Sequence, residues 1–122
     1  MQIEGDRLGV ELPGALDLQR PRAVHIVSRY NAVELEMAAQ VGQTLENVAR
    51  LLAEATAAVE TVVRMTWYVT DMEAYTGDLK AIGAAYRAVF GYYYPTMTLV
   101  QVARLVEPKA LVEIEVTAVI PD

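Results

Sequence analysis

Glu113 and Glu115 sit two residues apart in the run Leu111-Val112-Glu113-Ile114-Glu115-Val116-Thr117-Ala118-Val119-Ile120, whose even positions are all apolar. A period of two places both carboxylates on one face of a strand. Two carboxyl groups held side by side can have their proton affinities pushed apart, so that one serves as acid and the other as base. The plainer account of the same spacing is a solvated strand face, or carboxylates paired with Arg104 and Arg64. His25, the single histidine, lies in the β-branched run Ala23-Val24-His25-Ile26-Val27-Ser28. No acid or base is near it in sequence, so it reads as a packed or edge residue rather than a general base. Ser28, Thr44 and Thr70 also lack a local base, and the glycines are scattered. The sequence therefore spells out no triad, phosphate loop or metal cluster, and it implies no cofactor.

These residues need elements to position them. Thr96 to Leu105 is an apolar, β-branched run and Leu111 to Ile120 an alternating one; Val106-Glu107-Pro108-Lys109-Ala110 between them is a turn, because proline cannot sit in a central strand. Upstream, Met37, Val41, Leu45, Val48 and Leu52 recur at helical steps and predict a helix from Glu34 to about Ala55, with the Met37 stripe as core. Thr61 to Thr70 predicts a strand with Val63, Met65, Trp67 and Val69 on one face and Val62, Arg64, Thr66 and Tyr68 on the other. Thr70 and Glu73 form a capping-box pattern for a second helix, running through Met72, Tyr75, Leu79, Ile82, Tyr86 and Val89 to a stop at Gly91. Three adjacent tyrosines, Tyr92 to Tyr94, cannot all face a core, and Pro95 extends the backbone at Tyr94. Arg7 to Leu12 could be an edge strand ended by Pro13-Gly14. The order ββ-α-β-α-ββ predicts a single α+β domain over residues 1–122, with two helices packed on one face of a mixed sheet.

Composition narrows the partners. With 16 acidic and 10 basic residues the net charge is −6, the wrong sign for a phosphate backbone, so nucleic acid is not expected as a partner. A hydrophobic content of 54% is high for a 122-residue monomer and points to apolar surface in subunit contacts. The absence of cysteine removes disulfides, thiolate ligands and a Cys nucleophile. No run approaches the length of a membrane span and no export signal opens the chain, so a soluble, cytoplasmic protein without a membrane partner is expected.

The string Val100-Gln101-Val102-Ala103-Arg104-Leu105, followed by Leu111-Val112-Glu113-Ile114-Glu115, resembles the C-terminal signature of the Rid family, the YjgF-like reactive intermediate deaminases. Gln43-Thr44-Leu45-Glu46-Asn47-Val48 resembles that family's first helix, and Thr66-Trp67-Tyr68-Val69-Thr70-Asp71-Met72 the strand leading to its second. The blocks are collinear over residues 37 to 120. The resemblance implies a chorismate-mutase-like fold and a homotrimer with small-molecule clefts between subunits. It also implies an Arg just past the Tyr-Pro turn that binds the substrate carboxylate, and a Glu on the last strand that positions the water attacking an imine. Those positions fall on Met97 and Glu113, and Leu99 occupies a place where many members carry a small or polar residue. Glu113 is thus the candidate catalytic residue, and Arg29, Tyr94, Met97 and Leu99 are the candidate substrate-binding residues.

Several positions depart from the family pattern. Met97 cannot hold a carboxylate, and losing a charged hydrogen-bond partner costs about 1.5 to 3 kcal/mol, so ordinary imino-acid deamination is expected to be weak. Arg29 stands in Ser28-Arg29-Tyr30, where family members commonly have Ser-Gly, and its reach could return a charge to the site. No match is found for the Tyr that family members usually carry near the N-terminus, and Ala55-Thr56-Ala57-Ala58 stands where they often have a Gly turn. Two readings follow. One is a Rid-like homotrimer with an impaired deaminase site, acting as a small-molecule binder, an interaction protein, or an assembly scaffold remodelled in the laboratory and extended through Tyr92, Tyr93 and nearby loops. The other is a hydrolase of small C=N compounds in which Glu113 positions water. RNA cleavage, a label some family members carry, fits the acidic balance least.

Overall fold

The alternation of the last apolar run sets the architecture. The structure is a computed structural model describing residues 22–29 and 36–120. Its elements are β1 (Arg22–Arg29), α1 (Met37–Glu54), a 3-10 turn (Val59–Thr61), β2 (Val62–Val69), α2 (Met72–Thr76), α3 (Leu79–Phe90), β3 (Thr96–Gln101) and β4 (Val112–Ile120). The four strands form one sheet in the order β1-β4-β2-β3, with β4 antiparallel to both its neighbours and β3 parallel to β2. This is an α+β fold with its helices on one face. The expected edge strand at Arg7 to Leu12 lies outside the described residues.

In β4 the residues Val112, Ile114, Val116, Ala118 and Ile120 are buried while Glu113, Glu115 and Thr117 are only partly covered. The buried row faces α1, whose Met37, Val41, Leu45, Val48 and Leu52 are all in the core. Gln40, buried on the same helix face, is satisfied by the connection between β3 and β4: its amide donates to the Lys109 carbonyl at 3.1 Å, and its carbonyl accepts from Leu111 N at 2.7 Å. A buried amide paired at both ends fixes where that connection crosses the helix. α1 also packs on α3, where Gly42 brings the helices close enough that an added Cβ would meet Ala85 Cβ at 3.6 Å.

Four local expectations are corrected. A register shift between Val62 and Arg64 bulges β2, so Val62 is fully buried whereas Val63 is 48% exposed. One extra residue reverses the facing of everything before it, and the core row is Val62, Met65, Trp67 and Val69. The second helix is two helices, broken at Gly77-Asp78, two poor helix formers in the interior of a helix. Its cap is Asp71, whose carboxylate accepts from Ala74 N at 3.0 Å, rather than Thr70. The strand expected from Thr96 to Leu105 ends at Gln101, and it pairs with β2. The first helix is observed from Met37, and residues 30–35 before it lie outside the described ones.

The Ala55 to Ala58 turn carries strain: Thr56 has φ 57°, in the left-handed region that suits glycine and opposes a β-branched side chain. Thr56→Gly is expected to raise unfolding free energy by about 1 kcal/mol in urea titrations, the relieved left-handed cost being partly offset by the freer unfolded chain. A loss of stability would contradict the strain. Val62→Thr is expected to cost about 1–3 kcal/mol by burying an unpaired hydroxyl, whereas Val63→Thr should stay within about 0.5 kcal/mol. Equal costs would refute the bulge.

Candidate functional site

β2, α2, α3 and β3 converge on the helix-covered face of the sheet. Met97 and Leu99 on β3 lie beside Met65 and Trp67 on β2 and share their face. Leu99 packs against the core, while Met97, 40% exposed, lines a pocket of about 240 Å³ with Trp67, Tyr75, Ile82, Tyr86 and Tyr94. An apolar cavity of about 150 Å³ already admits benzene, so a ring-sized ligand has room here. No carboxylate is among the lining residues, and the one charged side chain is Arg87.

Tyr86 organises the pocket wall. It is buried, its ring lies 6.3 Å from that of Trp67 and 5.1 Å from that of Phe90, and Tyr94 stacks on it at 5.2 Å with 10° between the planes. Its hydroxyl donates to the Tyr93 carbonyl, and Tyr93 in turn donates to the Val62 carbonyl. The tyrosine run is therefore divided: Tyr92 is exposed, Tyr93 ties the turn to β2, and Tyr94 covers the pocket. Gly91, with φ 61°, ends α3 and releases the chain into this turn.

The opposite face of the sheet holds a second group. Glu115 Oε2 lies 2.7 Å from His25 Nε2, and Glu115 Oε1 accepts from the Tyr68 hydroxyl at 2.7 Å. His25 Nδ1 is 3.5 Å from Thr117 Oγ1. Arg64 and Thr66 complete a polar recess of about 160 Å³ around His25, Glu115 and Thr117. Glu115 thus pairs with His25 and Tyr68 rather than with an arginine, and His25, unpartnered in sequence, has an acid after all. The hydrogen bond to Glu115, aided by burial, raises the Tyr68 phenol above its usual value, since a phenolate there would face a carboxylate.

Of the candidate site residues, Tyr94 and Met97 come together in the pocket and Leu99 lies beside them in the core. Glu113 sits across the sheet, on the face of Glu115, opposite Tyr68 in register. Arg29 ends β1 opposite Glu113, and its side chain lies outside the described residues. One chain therefore does not join Glu113 to Met97. Sequence reasoning missed Tyr75, Ile82, Tyr86 and Arg87 as pocket residues: the first three stood only as helically spaced positions of the second helix, and Arg87 fell outside that stripe. Among the described residues no group of three or more His, Cys, Asp or Glu could hold a metal ion, and no helix is long and apolar enough to cross a membrane.

The sequence-family model described as Endoribonuclease L-PSP matches residues 24–120. Among solved structures, a Rid-family protein of unknown function from Yersinia pestis is 31% identical, with a TM-score of 0.70 and coverage of 81% of this chain and 79% of that one. A member of the YjgF/YER057c/UK114 family from Mycobacterium tuberculosis is 29% identical, with a TM-score of 0.66 over 90% and 92% of the two chains. A YjgF-family protein from Neisseria meningitidis is 27% identical, with a TM-score of 0.67 over 84% and 82%. No curated protein matches the chain. The mixed sheet with helices on one face and the span of the match define the class, and the chain belongs to the Endoribonuclease L-PSP family, also called YjgF/Rid.

Burial, reinforced by the neighbouring Tyr94 and Tyr93 phenols, pushes the Tyr86 hydroxyl up to about 12 from 10.0. Between those values the folded state keeps a proton that the unfolded chain has lost, so this group's contribution to stability is full below pH 10 and is lost as pH rises towards 12. Tyr68 and Tyr75 are raised as well and act in the same sense. Melting temperatures taken across this range should fall, and Tyr86→Phe should fall less steeply. Parallel curves for the two proteins would rule out Tyr86 as a source.

Proposed function

We propose that the chain is a small-molecule-binding member of the YjgF/Rid family, assembled as a homotrimer, in which deamination of imino acids is weak. The observation behind this reading is Met97: where the family resemblance implies a carboxylate-binding Arg, a thioether lines an aromatic pocket. The pocket suits a ligand with an apolar body, held by contact with Trp67, Tyr86 and Met97 and oriented by few polar groups. Assembly is supported by the open face of the sheet, where Val27, Val63 and Val100 are exposed beside the half-buried His25, Tyr68 and Glu115. A second copy is also what the chain needs to bring a Glu113 to a Met97 pocket, since its own lies on the other face.

The alternative is a hydrolase of small C=N compounds in which Glu113 positions water at a subunit boundary. Its mark is loss of activity in Glu113→Ala but not in Glu115→Ala. RNA cleavage, the activity in the family's description, is opposed by the net charge of −6.

The test is imino-acid hydrolysis by the wild type and by Met97→Arg, with native mass measured by light scattering. A mass near 40 kDa, three times 13.4 kDa, and an activity at least about tenfold higher in the variant are expected, the charged hydrogen bond setting that scale. Wild-type activity equal to that of Met97→Arg would overturn the impaired site. A monomer would remove the shared cleft.

A further inference from the structure

Arg87 stands at the mouth of the Met97 pocket, in the last turn of α3. Its place in the sequence accounts for its charge, because a cation is favoured at a helix C-terminus. It does not account for where the guanidinium goes. The side chain folds back one turn over Gly83: a Cβ added at Gly83 would lie 3.1 Å from Arg87 Nη1, so the missing side chain leaves the space that the guanidinium occupies. Gly83 itself lines the pocket, and the guanidinium, although solvent-exposed, lies beside it at the pocket's lining.

Three features make this cation a recognition group. Among the described residues no carboxylate forms an ion pair with Arg87 and no hydrogen bond engages its side chain, so its planar fork of five donors is uncommitted. The rest of the lining carries no charge, and Trp67, Ile82, Tyr86 and Met97 give the site a low-dielectric wall that strengthens any ion pair formed at its edge. In a chain of net charge −6 this is a local positive focus above an apolar hollow.

We infer that the pocket takes a monocarboxylate with an aromatic or branched aliphatic body, the body against Trp67, Tyr86 and Met97 and the carboxylate bidentate on Arg87. This rests on the reading of the pocket as a ligand site. It adds that the anion anchor has moved from the strand position of Met97 to the helix. Gly83, with no Cβ, leaves the Arg87 guanidinium room beside the pocket.

Trp67 is the only tryptophan and lines this pocket, so its fluorescence reports occupancy. The probes are 3-phenylpropionate and its neutral isostere 3-phenylpropanamide, titrated into the full chain at low ionic strength. The wild type is expected to bind the acid at least about tenfold more tightly than the amide, as a charge-assisted bidentate pair requires. Arg87→Gln should bind the two alike, and Arg87→Lys should keep part of the preference; all three proteins should share one far-ultraviolet circular dichroism spectrum, because Arg87 is exposed. Equal affinities for acid and amide in the wild type, or a preference that survives Arg87→Gln, would overturn the assignment while leaving the pocket as a ligand site. If neither compound perturbs Trp67, the reading of the pocket fails and the anchor with it.

Discussion

Everything in this chain hangs on β4 being hydrogen-bonded along both edges. A strand paired with β1 on one side and β2 on the other has no free backbone edge, so its only freedom is which side chains point to which face. A strict alternation of apolar and polar residues removes that freedom, because a one-residue slip would bury Glu113, Glu115 and Thr117 and expose Val112, Ile114 and Val116. Register with β1 then follows, and it places His25 opposite Thr117. Register with β2 places Tyr68 opposite Glu113, one diagonal step from Glu115. The polar cluster on the open face is a consequence of the same alternation that makes the core.

That explains which parts of the structure were legible. The period-two run and the Met37 stripe are local patterns whose consequences are also local, and both appear where expected. The facing of Val62 and Val63 was not legible, since two adjacent valines satisfy either face and only pairing with β4 shows the bulge. The break at Gly77-Asp78 is hidden because Tyr75, Leu79, Ile82 and Tyr86 keep helical spacing across it. The partner of His25 was out of reach for another reason: Glu115 is 90 residues away in the chain, and only strand order brings β1 beside β4. Family resemblance supplied the fold, yet it could not show that Met97 and Glu113 occupy opposite faces of one sheet.

The pocket illustrates how a core becomes a site. Ile82, Tyr86 and Phe90 form the buried stripe of α3, and they pack on the β2 row that contains Trp67. β3 lies beyond β2 at the edge of the sheet, so its outer residues receive less cover from the helix, and Met97 is left partly open. Tyr94 closes part of that gap by stacking on Tyr86, which is fixed through its own hydroxyl to the turn. The opening thus exists where the helix layer runs out over an edge strand, and rigid aromatic rings hold its shape at little entropic cost.

The proposed anchor on the helix differs from one on the strand in what a bound ligand could undergo. An anchor on β3 would fix a carboxylate beside the sheet, with the reacting carbon close to the strand that carries the anchor. The proposed anchor on α3 would fix the carboxylate at the helix rim and direct the apolar body inward, towards Trp67 and Tyr86, where no acid or base lines the wall. A general base must lie within hydrogen-bond reach of the water it activates, and Glu113 of the same chain is separated from this pocket by the thickness of the sheet. Within one chain the proposed ligand would lie in the helix layer, on the side of the sheet that lacks the carboxylates, so a general base for it would have to come from a second copy.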